Sequence, residues 1–302
     1  MKVNGTTAEK ILSRRAKDGI FIALMLLIPV VHFIIFWGVV NFNSLLMAFQ
    51  RLDPRTGGNI FTWDNFKDLL VDLKYGDTKV AIQNTFLTFG LMLLLLPWGF
   101  FLTYFLYKKI PLSGFWRTML FVPTILPAVA MTAIFTYLLY PLAPVGSIWR
   151  LFGAQTPNFI TGEKYSRWTV LAYIFWTNFG GQFIIFSGAM SRISKEITES
   201  ARLDGAGMRV EMLRIILPLC WPTFSMLLLL NIAGLFMASG PVLLLTGGRF
   251  DSTTIAFTVF NDTNNGFYNR AAALGTICTV ILFPIVIVSR YLLGKVYAGV
   301  EF

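Results

Sequence analysis

ESARLDGAGMRVEMLRIILP, Glu199 to Pro218, is a charged peptide set between two long apolar runs, with acids and bases on both sides of Gly205-Ala206-Gly207. What such a peptide does in so apolar a chain depends first on the runs around it. The chain has 302 residues, 56% hydrophobic and 13% charged, with mean hydropathy +0.67. Soluble domains carry roughly 25% charged residues. Six runs approach the ~20 apolar residues that cross a ~30 Å hydrocarbon core as helix. They are Ile20 to Val40, Thr85 to Tyr107, Thr118 to Tyr140, Trp168 to Met190, Leu217 to Ser239 and Ala271 to Leu293. The ten-residue alternation of a membrane barrel is absent, so the backbone must satisfy itself within helices. The expectation is an all-α membrane protein with six transmembrane helices.

Lys10, Arg14, Arg15 and Lys17 precede the first run, as in a signal peptide. The run is too long for that and lacks a small-residue cleavage site, so it reads as a retained span. With the N-terminus cytoplasmic, the inside segments hold 14 Lys and Arg in 64 residues and the outside segments hold 10 in 102. That bias places both termini in the cytoplasm. The net charge of +10 does not imply nucleic acid, because the cations border spans or stand beside acids and form no basic stripe. Cys220 and Cys278 fall inside spans and read as small buried hydrophobes.

Ion-coupled transporters place ionisable groups at membrane depth. His32 lies in the first run and reads as a packed polar residue rather than a proton relay, which disfavours secondary transport. The chain has no Walker A pattern and no Lys-Ser or Lys-Thr pair, so any nucleotide is held by another subunit. Two inside loops connect spans. In the short one, Lys108, Lys109 and Arg117 read as positive-inside retention charges. The longer one, Ser191 to Ile216, has room to fold. Lys195 to Leu203 reads as a short helix, with Ile197 and Ala201 on one buried face and Glu196, Glu199 and Arg202 in water. Asp204-Gly205 breaks it, and a second helix from Met208 runs into the membrane near Pro218 and Pro222. A small helix on the cytoplasmic face is a handle by which a partner can move the attached spans. Its plainer alternative is an interfacial loop with no partner.

Glu199-Ser200-Ala201, Gly205 and Ile215-x-Leu217-Pro218 resemble the "EAA" loop of permease subunits in binding-protein-dependent ABC importers. Asp204-Gly205-Ala206-Gly207 is similar to the maltose-type, sugar-uptake branch, and Ser200 departs from the usual Ala. LLLTGGRFDSTTIAF followed by AAALG, Leu243 to Gly275, resembles the loop before the last span in that branch. The resemblance implies a type I ABC importer permease fold and a coupling helix in which Glu199, Ser200, Ala201, Asp204 and Gly205 engage an ATPase. It implies a second homologous permease subunit, a cytosolic ATPase dimer that binds ATP and Mg, and a solute-binding protein delivering a carbohydrate. This chain itself then binds no cofactor or metal and catalyses no chemistry. The expected setting is a multi-pass protein of a bacterial or archaeal cytoplasmic membrane. The expected division is a cytoplasmic N-terminus (1–19), a first span and external loop (20–83), a permease core (84–293) with the coupling loop at 191–216, and a cytoplasmic C-terminus (294–302).

A translocation path needs polar groups at membrane depth. The fourth run offers Tyr173, Trp176, Thr177, Asn178 and Gln182 around Gly180-Gly181, and the fifth offers Asn231, Gly234 and Ser239. Neutral amides with aromatic rings suit a glycan better than an ion. The plainer reading is that they bond across helices as glue. A polyol phosphate or acidic oligosaccharide is the alternative cargo, and a non-transporting scaffold the alternative class. The loop Asn41 to Gln83, with TWDNF at Thr62 to Phe66, reads as a folded external cap.

Overall fold

A computed structural model describes residues 5–53 and 57–296. The ends of both expected tails, residues 1–4 and 297–302, lie outside the described residues, as do 54–56 of the first long loop. The described chain runs α1 (Ala16–Ala48), β1 (Gln50–Leu52), β2 (Asn59–Phe61), α2 (Asp64–Tyr75), α3 (Asp77–Tyr107), α4 (Ser113–Ile125), α5 (Ala128–Leu138) and α6 (Pro144–Leu151). It continues through α7 (Glu163–Asn178), α8 (Phe183–Ser191), α9 (Lys195–Leu203), α10 (Met208–Leu219), α11 (Trp221–Ala233), α12 (Gly240–Leu245), α13 (Ile255–Asn264) and α14 (Tyr268–Lys295). Helices α1, α3, α14 and the α7–α8 segment are long and apolar enough to cross a membrane, and the pairs α4–α5 and α10–α11 bring the number to six if each is one span.

Those two pairs correct the expectation of straight third and fifth spans. Between α4 and α5 the axis turns by 110°. Leu126 is extended there, with ψ 142°, because the ring of Pro127 excludes the helical conformation from the residue before it. Between α10 and α11 the turn is 72°, centred on Cys220 between Pro218 and Pro222. The fifth span also ends early: α11 stops at Ala233, and Ser239 stands at the N-terminus of a separate short helix, α12. Arg290, inside the last run, sits exposed in the final turns of α14, where a long side chain reaches the interface.

Three apolar clusters hold the helices together. Leu96, Phe100 and Tyr104 of α3 pack with Phe186 and Met190 of α8 and with Met212, Ile216, Cys220 and Leu227 of the bent pair. Phe100 sets its edge against Phe186 and Phe224, at 5.5 and 6.2 Å between ring centres. A second cluster joins Ala48, Leu69 and Ala81 to Ile255, Ala273, Leu274 and Cys278. The third joins Met131, Val170, Tyr173 and Ile174 to Val242, Leu245 and Phe257. Helix α1 is exposed through its first turns and packs on α14 only at its end, where Ala48 is buried.

The residues after α1 fold into a small cap. Strands β1 and β2 pair antiparallel, Gln50 opposite Phe61 and Leu52 opposite Asn59. The Asn65 amide donates to the carbonyls of Ala48 and Gln50 at 3.0 and 2.8 Å, fixing α2 to the end of α1. Phe49, Phe61, Trp63 and Phe66 stack around that joint. Arg270 of α14 reaches Asp72 of α2 at 2.7 Å and Asp262 of α13 at 3.5 Å. Burial pushes the Asp262 carboxyl up, against the pull of Arg270.

The α7–α8 break is set by a close approach. A Cβ at Gly180 would lie 1.9 Å from the carbonyl oxygen of Leu120 in α4, so only glycine fits. Gly188, one helix further on, has open space around it. Gly180→Ala is therefore expected to cost about 1–3 kcal/mol through overpacking, and Gly188→Ala to be close to neutral. Thermal unfolding of the two variants in detergent checks the difference.

Candidate functional site

The charged peptide forms the expected helix and turn. Gly205 has φ +80°, a conformation that glycine takes without steric cost. Its N–H donates to the Arg202 carbonyl at 3.0 Å and the Ala206 N–H to that of Ala201 at 2.9 Å, closing the end of α9. Thr198 and Ala201 face inward, while Glu196, Glu199, Ser200, Arg202 and Asp204 are exposed and Leu203 stands 89% exposed. Ile197 corrects the expected buried face: it is 41% exposed, because packing selects the i, i+3 pair Thr198–Ala201 over the i, i+4 pair Ile197–Ala201.

Beneath α9 lies a charge that the sequence reading left out. Glu211, in the π-helical turn Glu211–Ile216 of α10, is 3% exposed. Its Oε1 pairs with Lys108 Nζ from the C-terminus of α3, and its Oε2 lies 3.9 Å from Arg202 Nε of α9. The Tyr104 hydroxyl donates to the Met208 carbonyl at 3.3 Å, and Lys108 Nζ sits 5.5 Å from the centre of the Tyr104 ring. Lys108 is thus no solvated retention charge, its side chain being 12% exposed. Arg117 is likewise engaged: it donates to the Leu106 carbonyl at 3.0 Å and lies over the Phe183 ring. These contacts put the 108–112 loop and α9 at one end of the molecule. At the other, the Asn84 amide donates to the carbonyls of Asp251 and Thr253 at 2.8 and 2.7 Å, and Thr85 Oγ1 accepts from the Ile255 N–H at 3.0 Å.

Between the ends, the α7–α8 break opens two cavities. One, of about 440 Å³, is lined by Thr88 and Met92 of α3 with Asn178, Gln182, Asn231 and Gly234. The other, of about 380 Å³, is lined by Thr124, Tyr173, Thr177, Asn178 and Pro241. Asn178 and Gly181 border both. The break explains the polarity, since helix ended at membrane depth must line a cavity or be buried. The Asn178 amide donates to the Ile174 carbonyl at 2.9 Å, and Gln182 packs on Gly99, where a Cβ would come within 3.1 Å of its Oε1. The Tyr173 hydroxyl is spent structurally: it accepts from Thr132 Oγ1 at 3.0 Å and donates to the Ala128 carbonyl at 3.2 Å. Trp176 packs on Phe135, with ring centres 5.6 Å apart. Ser239 lies elsewhere, in an apolar cleft of about 600 Å³ between α11, α13 and α14, because the chain has already turned at Gly234. The contributions of Thr88 and Met92 were not foreseen, since α3 shows no polar stripe in sequence.

A family model described as "Binding-protein-dependent transport system inner membrane component" matches residues 95–300. The chain is 26% identical over 297 residues to the sn-glycerol-3-phosphate transport system permease protein UgpA of Escherichia coli, covering 92% of this chain and 94% of that one. It is 26% identical over 265 residues to the multiple sugar-binding transport system permease protein MsmF of Streptococcus mutans, covering 85% and 89%. Against a probable ABC transporter permease protein of Mycoplasma pneumoniae, the MG188 homolog, identity is 28% over 190 residues, and the chain spans about half of that relative's length, 54%. In fold it is similar to a solved bacterial ABC transporter involved in the import of the acidic polysaccharide alginate, with TM-score 0.81, 22% identity, and coverage of 94% of this chain and 98% of that one.

The two kinds of polar group at the break are separable by stability. Tyr173→Phe is expected to lower unfolding stability by about 1 kcal/mol, the net worth of a buried hydrogen bond. Asn178→Ala, at an exposed position on the cavity wall, is expected to stay within about 0.5 kcal/mol. Detergent-solubilised thermal melts distinguish the two.

Proposed function

We propose, since this chain belongs to the binding-protein-dependent transport system inner membrane components, that it is the permease subunit of an ATP-driven ABC importer that carries a sugar or oligosaccharide. It works beside a second, homologous permease. An ATPase dimer, holding ATP and Mg, docks on α9 at the cytoplasmic face, and a solute-binding protein delivers cargo at the opposite face. Both termini are cytoplasmic, in a bacterial or archaeal plasma membrane. The observation that carries this reading is the pairing of an exposed, glycine-terminated helix at one end of the molecule with neutral polar cavities at the α7–α8 break.

The mechanism follows from that arrangement. Closure of the ATPase dimer displaces α9, with Glu199 and Ser200 offering polar contact, Ala201 holding the helix close to the body, and Gly205 with Asp204 fixing the turn. The spans attached to α9 tilt, the cavity turns outward to receive cargo, and hydrolysis reverses the motion. Asn178, Gln182 and Asn231 would meet sugar hydroxyls, with Thr177 and Gly234 shaping the wall. Tyr173 and Trp176 support the break from behind. MsmF supports a sugar, while UgpA raises a phosphorylated polyol. No Lys or Arg lines either cavity among the described residues, and an anion would require one, so the neutral glycan is favoured over a polyol phosphate or acidic oligosaccharide. The exposed handle likewise favours an importer over a scaffold.

Two variants test docking. Gly205→Pro demands φ near −65° where the turn needs +80°, and Glu199→Lys reverses charge on the exposed face. Each is expected to reduce copurification of the ATPase with the tagged chain by at least about tenfold, the scale of losing a charged contact at an interface. Unchanged copurification would support the scaffold instead. Cells are further expected to accumulate one or more members of a labelled glycan panel only when the chain is present.

A further inference from the structure

The Glu211 carboxylate does more than cap a loop. It is buried, and a buried carboxylate is tolerated only where charge and hydrogen bonds compensate it. Here its two oxygens face different elements: Oε1 holds Lys108 at the end of α3, and Oε2 faces Arg202 on α9. Two consecutive helices, α9 and α10, and the distant end of α3 therefore meet at one side chain. From Lys108, α3 runs through Tyr104, Phe100 and Leu96, all buried against α8, to Leu95, Met92 and Thr88 on the cavity wall. Lys108 and Met92 are sixteen residues apart, roughly 24 Å of helix at 1.5 Å per residue. A displacement entering at α9 thus has a charged joint to α3 and a packed rod from there to the cavity.

We propose that Glu211 is the tie through which movement of α9 is passed to α3, with Lys108 its obligatory partner and Arg202 the sensor on the docking helix. The inference rests on the importer reading and adds to it the route of coupling. Glu211 and Lys108 are positioning residues: neither touches cargo or nucleotide. If the tie is intact, ATPase closure moves the cavity wall. If either charge is removed, α9 still docks and the ATPase still turns over, but the stroke is spent in the loop.

The test uses the whole complex, purified through this chain with its own ATPase and reconstituted into vesicles. Cys220→Ala and Cys278→Ala remove both native thiols of this chain, and Met92→Cys places a reporter on the α3 wall of the cavity. The probe is a membrane-impermeant maleimide, applied with and without ATP and vanadate. In the parent, trapping is expected to raise labelling at least about fivefold, as the population shifts outward. Glu211→Gln and Lys108→Gln are expected to keep the ATPase bound and hydrolysing, with labelling within about twofold of the untrapped level. Lys108→Glu combined with Glu211→Lys, and with Arg202→Glu so that the charge on α9 is reversed in step, is expected to restore the response. Full labelling in Glu211→Gln with ATPase bound overturns the proposal. If the single variants fail to assemble, the swap decides: an assembled, responsive swap supports the tie, and a swap that fails to assemble or to respond overturns it. A parent that holds no ATPase sinks the importer reading, and the tie with it.

Discussion

Backbone at membrane depth must be hydrogen-bonded within the chain or open onto water, and the architecture turns on where this molecule departs from continuous helix. It does so at Leu126–Pro127, at Phe179–Gln182, at Cys220 and at Gly234–Ser239. Three of the four departures border the polar cavities: Leu126 and Ala128 line one, Gly234 and Ala238 the other, and Asn178 with Gly181 lines both. The cavity is therefore a consequence of the breaks and not a space left between straight rods. Gly180 makes the central break possible by letting its backbone rest on the Leu120 carbonyl, where any side chain would collide. The polar cavities here are thus built on a packing exception.

The two ends of the molecule are secured by different means. At the hairpin end, the loop after α12 is held through backbone: Asn84 bonds two carbonyls, Thr85 accepts from Ile255, and Thr254 donates to the Ala238 carbonyl at 2.6 Å while capping α13. Gly247, Gly248, Phe250 and Asp251 all take positive φ there, and a Cβ on Gly248 would strike the Phe257 ring at 2.0 Å. Two non-glycine residues in that region store strain, which persists only because the surroundings fix the loop. Arg270 then joins α14, α13 and the cap through Asp262 and Asp72.

Much of this was legible in sequence, and the failures have physical causes. Apolar run length located the four long helices and, in outline, the two bent pairs, and the Gly205 turn was legible because glycine ends helices for a local reason. The breaks were not, although their prolines were in plain view. Pro97, Pro123 and Pro284 sit inside continuous helices, whereas Pro127 coincides with a 110° turn. Neighbouring helices can re-satisfy the carbonyl that a proline orphans, so the outcome depends on packing, which sequence spacing does not carry. The inward face of α9 failed likewise: Ile197 and Thr198 are both acceptable partners for Ala201, and only the floor beneath chooses. Lys108 and Glu211 could not be paired at all, because 103 residues separate them and neither stands in a local pattern. Ser239 was misplaced for a simpler reason. The helix ends at Gly234, before a helical projection of the run reaches Ser239.

These differences bear on how the molecule can move. An end fastened through many backbone hydrogen bonds resists local opening, since every bond broken leaves a polar group to be re-satisfied. An end whose elements share a charge has one joint whose geometry can change while each element stays intact. The hairpin end, where Asn84, Thr85 and Thr254 bond backbone beside the shared Arg270, is of the first kind, and the α9 end, where α3, α9 and α10 share Glu211, is of the second. With the hairpin end as pivot and α9 as the point of load, α3 becomes the lever between them, anchored by Asn84 and Thr85 above and by Lys108 below. The cavity wall at Thr88 and Met92 lies between pivot and load and nearer the pivot. Under the proposed coupling, such a lever would convert a large stroke at α9 into a small shift at the cavity, and a small shift suffices where a break already holds helix ends apart at membrane depth.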